Sequence, residues 1–145
     1  MTVSKSEAVY RYQFTIPENA IDINGHVNNV IFVQWMQNAA VRHFNFLGGN
    51  DLIDKAGATW YVRSHKIEYL SPAFAGDEIE ARTWIADIRR VRSLRKYEFV
   101  NKLSGKLLVR GETDWVLVDV ASGRPIAIPE TIANIFPLIA DHHES

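Results

Sequence analysis

Asp22, Asn24 and His26 set a carboxylate, an amide and an imidazole within five consecutive positions, followed by Val27-Asn28-Asn29. An apolar stretch over residues 30–47 begins directly behind them and has the character of a helix. The first N–H groups of a helix have no partner inside it, so the polar loop adjoins free backbone donors. Acyl transfer needs such parts: a base or nucleophile, groups that orient it, and donors for an oxyanion. The helix dipole also favours an ionised carboxylate near its positive end. A plainer reading uses the same residues: Asn24-Gly25 is a turn signal and Asp22 an Asx-turn residue. Asn28 is then a helix N-cap and His26 a surface histidine.

The elements that must position this loop follow from periodicity. Tyr10, Tyr12, Phe14 and Ile16 alternate with Arg11, Gln13 and Thr15, which predicts a strand with one buried face, ended by Pro17. Residues 29–47 carry apolar side chains at 32, 35, 36, 39, 40, 44 and 47, a helical spacing. Val30, Ile31, Val33 and Val41 add apolar surface on other faces, so a central helix wrapped by sheet is expected. Gly48-Gly49-Asn50 stops it. Residues 51–57 are short helical or irregular chain. Strands are predicted over 59–70, 78–88, 93–103 and 106–120. Ser71-Pro72 and Gly76-Asp77 punctuate the first connection, Ser104-Gly105 fits a tight hairpin turn, and Gly111 marks a bulge or bend. Ser122-Gly123-Arg124-Pro125 is a further turn. Residues 130–139 could form a terminal helix after Pro129, and the tail 141–145 is expected to fray.

One strand, one long helix and four strands in meander order, joined by short connections, predict an α+β domain with an antiparallel sheet. Composition agrees with one domain, 1–145. The 145 residues are 47% hydrophobic, enough for a substantial core. Sixteen Lys plus Arg against 17 Asp plus Glu leave a net charge of −1, which gives no hint of nucleic-acid binding. Cysteine is absent, which excludes disulfides and thiol chemistry. No apolar run approaches the ~20 residues needed to span a bilayer, and the N-terminus is polar. A soluble, cytoplasmic protein is expected.

The layout, with the loop at residues 22–29, resembles the hot-dog fold thioesterases from about Tyr10 to Phe136. In that fold a long central helix is wrapped by a five-stranded antiparallel sheet. Asp22-x-Asn24-x-His26-Val27-Asn28-Asn29 looks like the catalytic segment of the acyl-acyl-carrier-protein thioesterases. The 4-hydroxybenzoyl-CoA thioesterase group has an Asp at the place of Asp22 but usually lacks the Asn and His. Tyr69-x-x-Pro72-x-x-x-Gly76-Asp77 also recurs in these families, mainly as a structural turn.

The resemblance implies hydrolysis of acyl-CoA or acyl-carrier-protein thioesters to a free acid and a thiol. Asp22 would be nucleophile or general base, the N–H near Asn29 the oxyanion donor, and Asn24 and His26 the orienting pair. A second lineage uses a Glu within the long helix, but residues 29–47 contain no Asp or Glu. The resemblance further implies a homodimer or homotetramer with interface active sites, and no metal or organic cofactor. Rival readings are a hot-dog dehydratase or hydratase, whose usual His-centred motif differs from this loop, and a non-enzymatic acyl-CoA-binding module.

Arg89, Arg90, Arg92, Arg95 and Lys96 put five cations into eight residues at the junction of two predicted strands. They are either a solvated hairpin end or a clamp for CoA phosphates or the acidic surface of acyl carrier protein. Arginine's planar fork suits phosphate, and hot-dog CoA thioesterases often carry a basic pair here. Arg89, Arg90 and Arg92, with Ser93 as a hydroxyl donor, are the expected substrate-binding residues. Trp35, Trp60, Trp84 and Trp115 are expected in the core or an interface, and one of them could line an acyl pocket. His43 and His65 show no metal-ligand spacing, and His142 and His143 still less.

Overall fold

Residues 8–139 are described by the structure, a computed structural model. The expected frayed tail, with His142 and His143, lies outside them. The first strand, β1 (Tyr10–Thr15), alternates as predicted, and its partly buried Tyr12 and Phe14 pack against the core. A single 3-10 turn over Glu18–Ala20 leads into the polar loop, and then α1 runs over Asn29–Phe46. Its buried face is Phe32, Met36, the pair Ala39 and Ala40, and the pair His43 and Phe44, recurring every three or four residues. Away from that face, Val30, Val41 and Phe46 are exposed among the described residues. Gly48, at φ +79, ends α1, and Gly49 already begins the next helix, α2 (Gly49–Ala56).

Four strands follow: β2 (Ala58–Tyr69), β3 (Glu78–Arg89), β4 (Arg92–Asn101) and β5 (Leu107–Asp119). With β1 they make one antiparallel sheet in the order β1-β3-β4-β5-β2. The predicted meander holds for β3, β4 and β5 but not for β2. That strand crosses to the far edge and pairs with β5 along its whole length. The connection over residues 70–77 is long enough to carry the chain from one edge to β3. The result is a sheet curled around one face of α1, with two edge strands.

Two glycine and turn readings are corrected. Gly111 is regularly paired with Ile67 and Tyr97, and the register shifts fall elsewhere, at Val62/Ser64, Ile85/Asp87 and Phe99/Val100. Gly111 is small because α1 comes close: a Cβ there would lie 2.9 Å from Met36 Sδ and 3.2 Å from the Lys66 carbonyl oxygen. The tight turn of the sheet is at Arg90-Val91, between the paired Arg89 and Arg92, with Arg90 at φ +49. The β4–β5 connection is wider, with Asn101 N–H donating to the Lys106 carbonyl and the Asn101 side chain accepting from Leu103 and Ser104 N–H.

The expected terminal helix is cut to α3 (Glu130–Ala133). Pro137 cannot continue a helix and disfavours helical geometry in the residue before it. The chain instead buries Phe136 against Phe44, and Ile139 N–H donates to the Ile85 carbonyl, adding a short parallel bridge beside β3. Met36, Phe99, Ile79, Leu117 and Ile132 are fully enclosed, and each such side chain contributes about 1.5–3 kcal/mol by leaving water.

Candidate active site

The polar loop is a three-residue hairpin. Asp22 N–H donates to the His26 carbonyl (2.9 Å), Gly25 N–H donates to the Asp22 carbonyl (3.0 Å), and Gly25 takes φ +86. Left-handed backbone at that point is why a glycine follows Asn24. One oxygen of the Asp22 carboxylate accepts the Asn24 N–H at 2.8 Å, so the Asx turn is present. That bond fixes the carboxylate's direction and leaves the second oxygen outside the turn. Below the hairpin, Ile21 bridges Val27, whose N–H donates to the Ala73 carbonyl (2.8 Å) and whose side chain is buried. The loop is therefore anchored on a buried valine rather than hanging from the surface.

The start of α1 adjoins it. Asn28 is the N-cap, its side chain accepting the Val30 N–H at 3.0 Å, and its carbonyl accepts the Ile31 N–H. The Asn29 N–H is left without a partner among the described residues. The Asn29 carbonyl accepts the Tyr69 hydroxyl at 2.8 Å, which pins the first helical turn to the end of β2. Tyr69 was legible only as part of a turn motif, and its hold on the helix was not. The remainder of that motif ties the neighbouring turn: the Asp77 carboxylate accepts the Phe74 N–H, and Gly76 takes φ +87. Phe74 in turn meets the His26 ring edge-on, with centroids 6.5 Å apart. Asp22 and His26 are half-buried, while Asn24 and Asn29 are exposed. Asp22, Asn24, His26 and Asn29 thus share one loop and helix end. No hydrogen bond joins the Asn24 or His26 side chain to the Asp22 carboxylate among the described residues.

The basic cluster does not gather at one point, because neighbours along β4 face opposite sides of the sheet. Arg89 and Arg90 sit exposed at the hairpin tip, Arg89 paired with Asp87 at 2.6 Å. Arg92 lies on the outer sheet face and donates two hydrogen bonds to Asp114, at 3.0 and 2.6 Å. Lys96 shares that face with Glu112. Ser93 and Arg95 point the other way and are buried. Arg95 Nη1 lies 2.9 Å from His43 Nδ1 and donates to Thr83 Oγ1 at 2.9 Å. The signal for this inward arginine was its phase: Ser93, Arg95, Tyr97 and Phe99 alternate along one face.

A cavity of about 270 Å³ lies beside Arg95, between the C-terminal half of α1 and β2, β4 and β5. Trp60 and Trp115 line it, with Phe44, Phe136 and Ile85. No three His, Cys, Asp or Glu side chains are grouped to hold a metal among the described residues.

His43 supplies a stability prediction. Burial, then the Arg95 charge, push its pKa from 6.5 to about 3, so the folded protein holds it neutral. The unfolded chain binds a proton below pH 6.5 that the folded state refuses. This stability is fully present above pH 6.5 and is lost as pH falls toward 3, at about 1.4 kcal/mol per pH unit for one proton. His43→Asn keeps an acceptor near the Nδ1 position and does not titrate. Its melting temperature should fall less steeply than the parent's between about pH 6.5 and 5. Equal slopes in calorimetry would assign the acid sensitivity to another group.

Comparison with known proteins places this geometry. The thioesterase-like superfamily matches residues 16–136. The chain belongs to that superfamily. Within it, the sheet and helix are the hot-dog fold. A 1,4-dihydroxy-2-naphthoyl-CoA thioesterase from Synechocystis superposes with a TM-score of 0.79 at 19% identity, over 88% of this chain and 94% of that one. A Staphylococcus aureus protein in complex with CoA gives 0.81 at 18%, over 88% and 80%. An acyl-ACP thioesterase from Bacteroides thetaiotaomicron gives 0.86 at 18%, over 96% of this chain and 57% of that longer one. No curated protein sequence matches the chain. Among the described residues of this superfamily member, no helix is long and apolar enough to cross a membrane.

Proposed function

We propose that this protein hydrolyses acyl thioesters of CoA or acyl carrier protein, releasing a carboxylic acid and a thiol. The observation that carries the reading is the Asp22 carboxylate, oriented by its Asx turn beside a helix start whose Asn29 N–H is unpaired among the described residues. In the reaction the thioester carbonyl accepts that N–H, which with the helix dipole stabilises the developing oxyanion. Asp22 either takes a proton from the attacking water and passes it to the departing sulfur, or attacks the carbonyl carbon to give a mixed anhydride that water then hydrolyses, its proton going to the thiolate; in both the C–S bond breaks. Asn24 and His26 would orient the water or the carbonyl. A thioester is already activated, so one carboxylate and an oxyanion site can suffice. Thiol release from a panel of acyl-CoAs tests this. Binding without release would return the protein to the class of acyl-CoA-binding modules.

The active unit is proposed to be a dimer joined through β2. This strand is 12 residues long with one edge unpaired, and Tyr61 on it is exposed, as are Val41 and Phe46 on α1. Such an edge invites pairing with a second chain. Antiparallel β2–β2 pairing would set the Trp60 end of one strand beside the Tyr69 end of the other. Since Tyr69 holds the start of α1, a second copy's Asp22 would come to the cavity of the first. Within one chain the two are apart: from Asn29 to Ala40 the helix advances roughly 16 Å.

Arg89 and Arg90 are proposed to meet the phosphates of CoA or the acidic carrier. Arg92 and Ser93, proposed with them from sequence, would act through the hairpin they brace, Arg92 by its hold on Asp114. Replacing Arg89 and Arg90 together by Gln should raise KM for acyl-CoA by roughly three- to tenfold, the scale of two exposed charge contacts, and flatten its salt dependence. Turnover at saturation should hold, because the contact is the same in ground and transition states. Acyl-pantetheine, which lacks the nucleotide, should be cleaved as well as by the parent. An equal loss on both substrates would make the hairpin tip structural.

A further inference from the structure

The cavity beside α1 is walled by Phe44, Trp60, Ile85, Trp115 and Phe136, yet its inner wall holds a cation. Arg95 is only 3% exposed. Both groups that its Nη1 meets are neutral. Thr83 is a hydroxyl that passes its own hydrogen on to the Lys96 carbonyl at 2.9 Å. His43 offers a ring nitrogen, and burial holds that ring uncharged. The guanidinium also lies 5.9 Å from the centre of the Phe136 ring, a weaker attraction. No carboxylate faces it among the described residues: Asp114, one strand away, projects to the outer sheet face and is bound by Arg92.

A buried charge without a counter-charge is among the most costly groups a fold can hold, and removal of its partner is strongly destabilising. Burial lowers the Arg95 pKa to about 10, which still leaves it charged at neutral pH. Its Nε and Nη2 donors have no partner among the described residues. No side-chain nitrogen or oxygen there is both sealed and unpaired, so these donors open onto the cavity. Two donors on one guanidinium edge match the two oxygens of a carboxylate. The remaining walls are apolar and aromatic, suited to a short carbon chain or a ring.

We infer that Arg95 receives a carboxylate carried at the far end of the acyl group, so that the favoured substrates are monothioesters of dicarboxylic acids. This rests on the cavity being the acyl site of the proposed thioesterase. The carboxylate supplies the missing counter-charge, and the apolar walls cover the carbons between it and the thioester. An acyl group of the same length ending in a methyl covers the guanidinium without pairing it, and is selected against for that reason.

The experiment compares hexanoyl-CoA with adipoyl-CoA, and benzoyl-CoA with 4-carboxybenzoyl-CoA. The parent should favour the carboxylated member of at least one pair by roughly 10²-fold in kcat/KM, the upper scale of the penalty for leaving one buried donor unpaired. Arg95→Met should lose that preference or reverse it, read as the ratio of the two kcat/KM values within the variant. Titration of the parent with adipamate, the monoamide of adipic acid, and with neutral hexanamide reads the site without hydrolysis and without any variant. Adipamate should bind at least tenfold more tightly. Equal binding of the two amides, with no carboxylate preference in cleavage, would overturn the inference even if plain acyl-CoAs are hydrolysed well. Selective adipamate binding with no thioester cleaved would uphold Arg95 as a carboxylate site and sink the thioesterase reading.

Discussion

Asp22→Asn should lower thioester turnover by about 10²–10⁴-fold, the usual scale for losing a positioned acid–base group, with little change in melting temperature. The small effect on stability follows from the loop. Asp22 contributes to the hairpin through one side-chain oxygen, which accepts the Asn24 N–H. An asparagine oxygen accepts the same bond, so the Asx turn survives while the charge is lost. Asp22→Ala would remove turn and charge together and would confuse the two. No carboxylate in α1 can substitute, since Asn29–Phe46 contains neither Asp nor Glu. Alanine at Asn24 or His26 should cost less, as neither supplies the attacking or accepting group. The roles are reversed if His26→Ala abolishes turnover and Asp22→Asn does not.

The candidate loop was legible because its information is local. Asx turn, glycine and N-cap act over a few residues, and Asp22, Gly25 and Asn28 do in the structure what their types predict. The strand at Tyr10–Thr15 and the helix at Asn29–Phe46 were legible for the same reason, since each displays its period along the chain. The place of β2 was not. Its residues suit an edge beside either neighbour, and the choice of β5 is made by pairing partners about forty to sixty positions away, such as Thr59 with Val118. Gly111 reads as a bend in sequence, whereas its smallness answers to Met36 on another element.

The basic run was legible only in part. Arg89, Arg90, Arg92, Arg95 and Lys96 form one cluster in sequence, but a strand's period of two sends Arg92 and Lys96 to one face and Arg95 to the other. Charge density suggested a phosphate clamp. Phase, read alongside Ser93, Tyr97 and Phe99, separates the buried cation from the exposed ones. Arg95 was in view throughout as one charge of five, and only its direction distinguishes it.

The second large effect expected is recovery of activity on mixing two inactive proteins. Asp22→Asn removes the reacting carboxylate. Ala40→Phe places a ring in the cavity wall, where Ala40 is 6% exposed, and should block the acyl group. Each variant alone should be nearly inactive. In a dimer whose sites each combine the loop of one copy with the cavity of the other, a mixed dimer has one site carrying both lesions and one carrying neither. Random exchange of equal amounts makes half of the dimers mixed, so about a quarter of all sites are intact. Subunits unfolded and refolded together should therefore show about a quarter of parental activity, with a Michaelis constant equal to the parent's. If loop and cavity of one chain formed the site, every site in the mixture would carry one lesion and activity would stay at the level of the variants. Light scattering on each variant guards the comparison, because Ala40→Phe must still dimerise. A dimer that fails to complement would leave β2 as an interface and remove the active site from it.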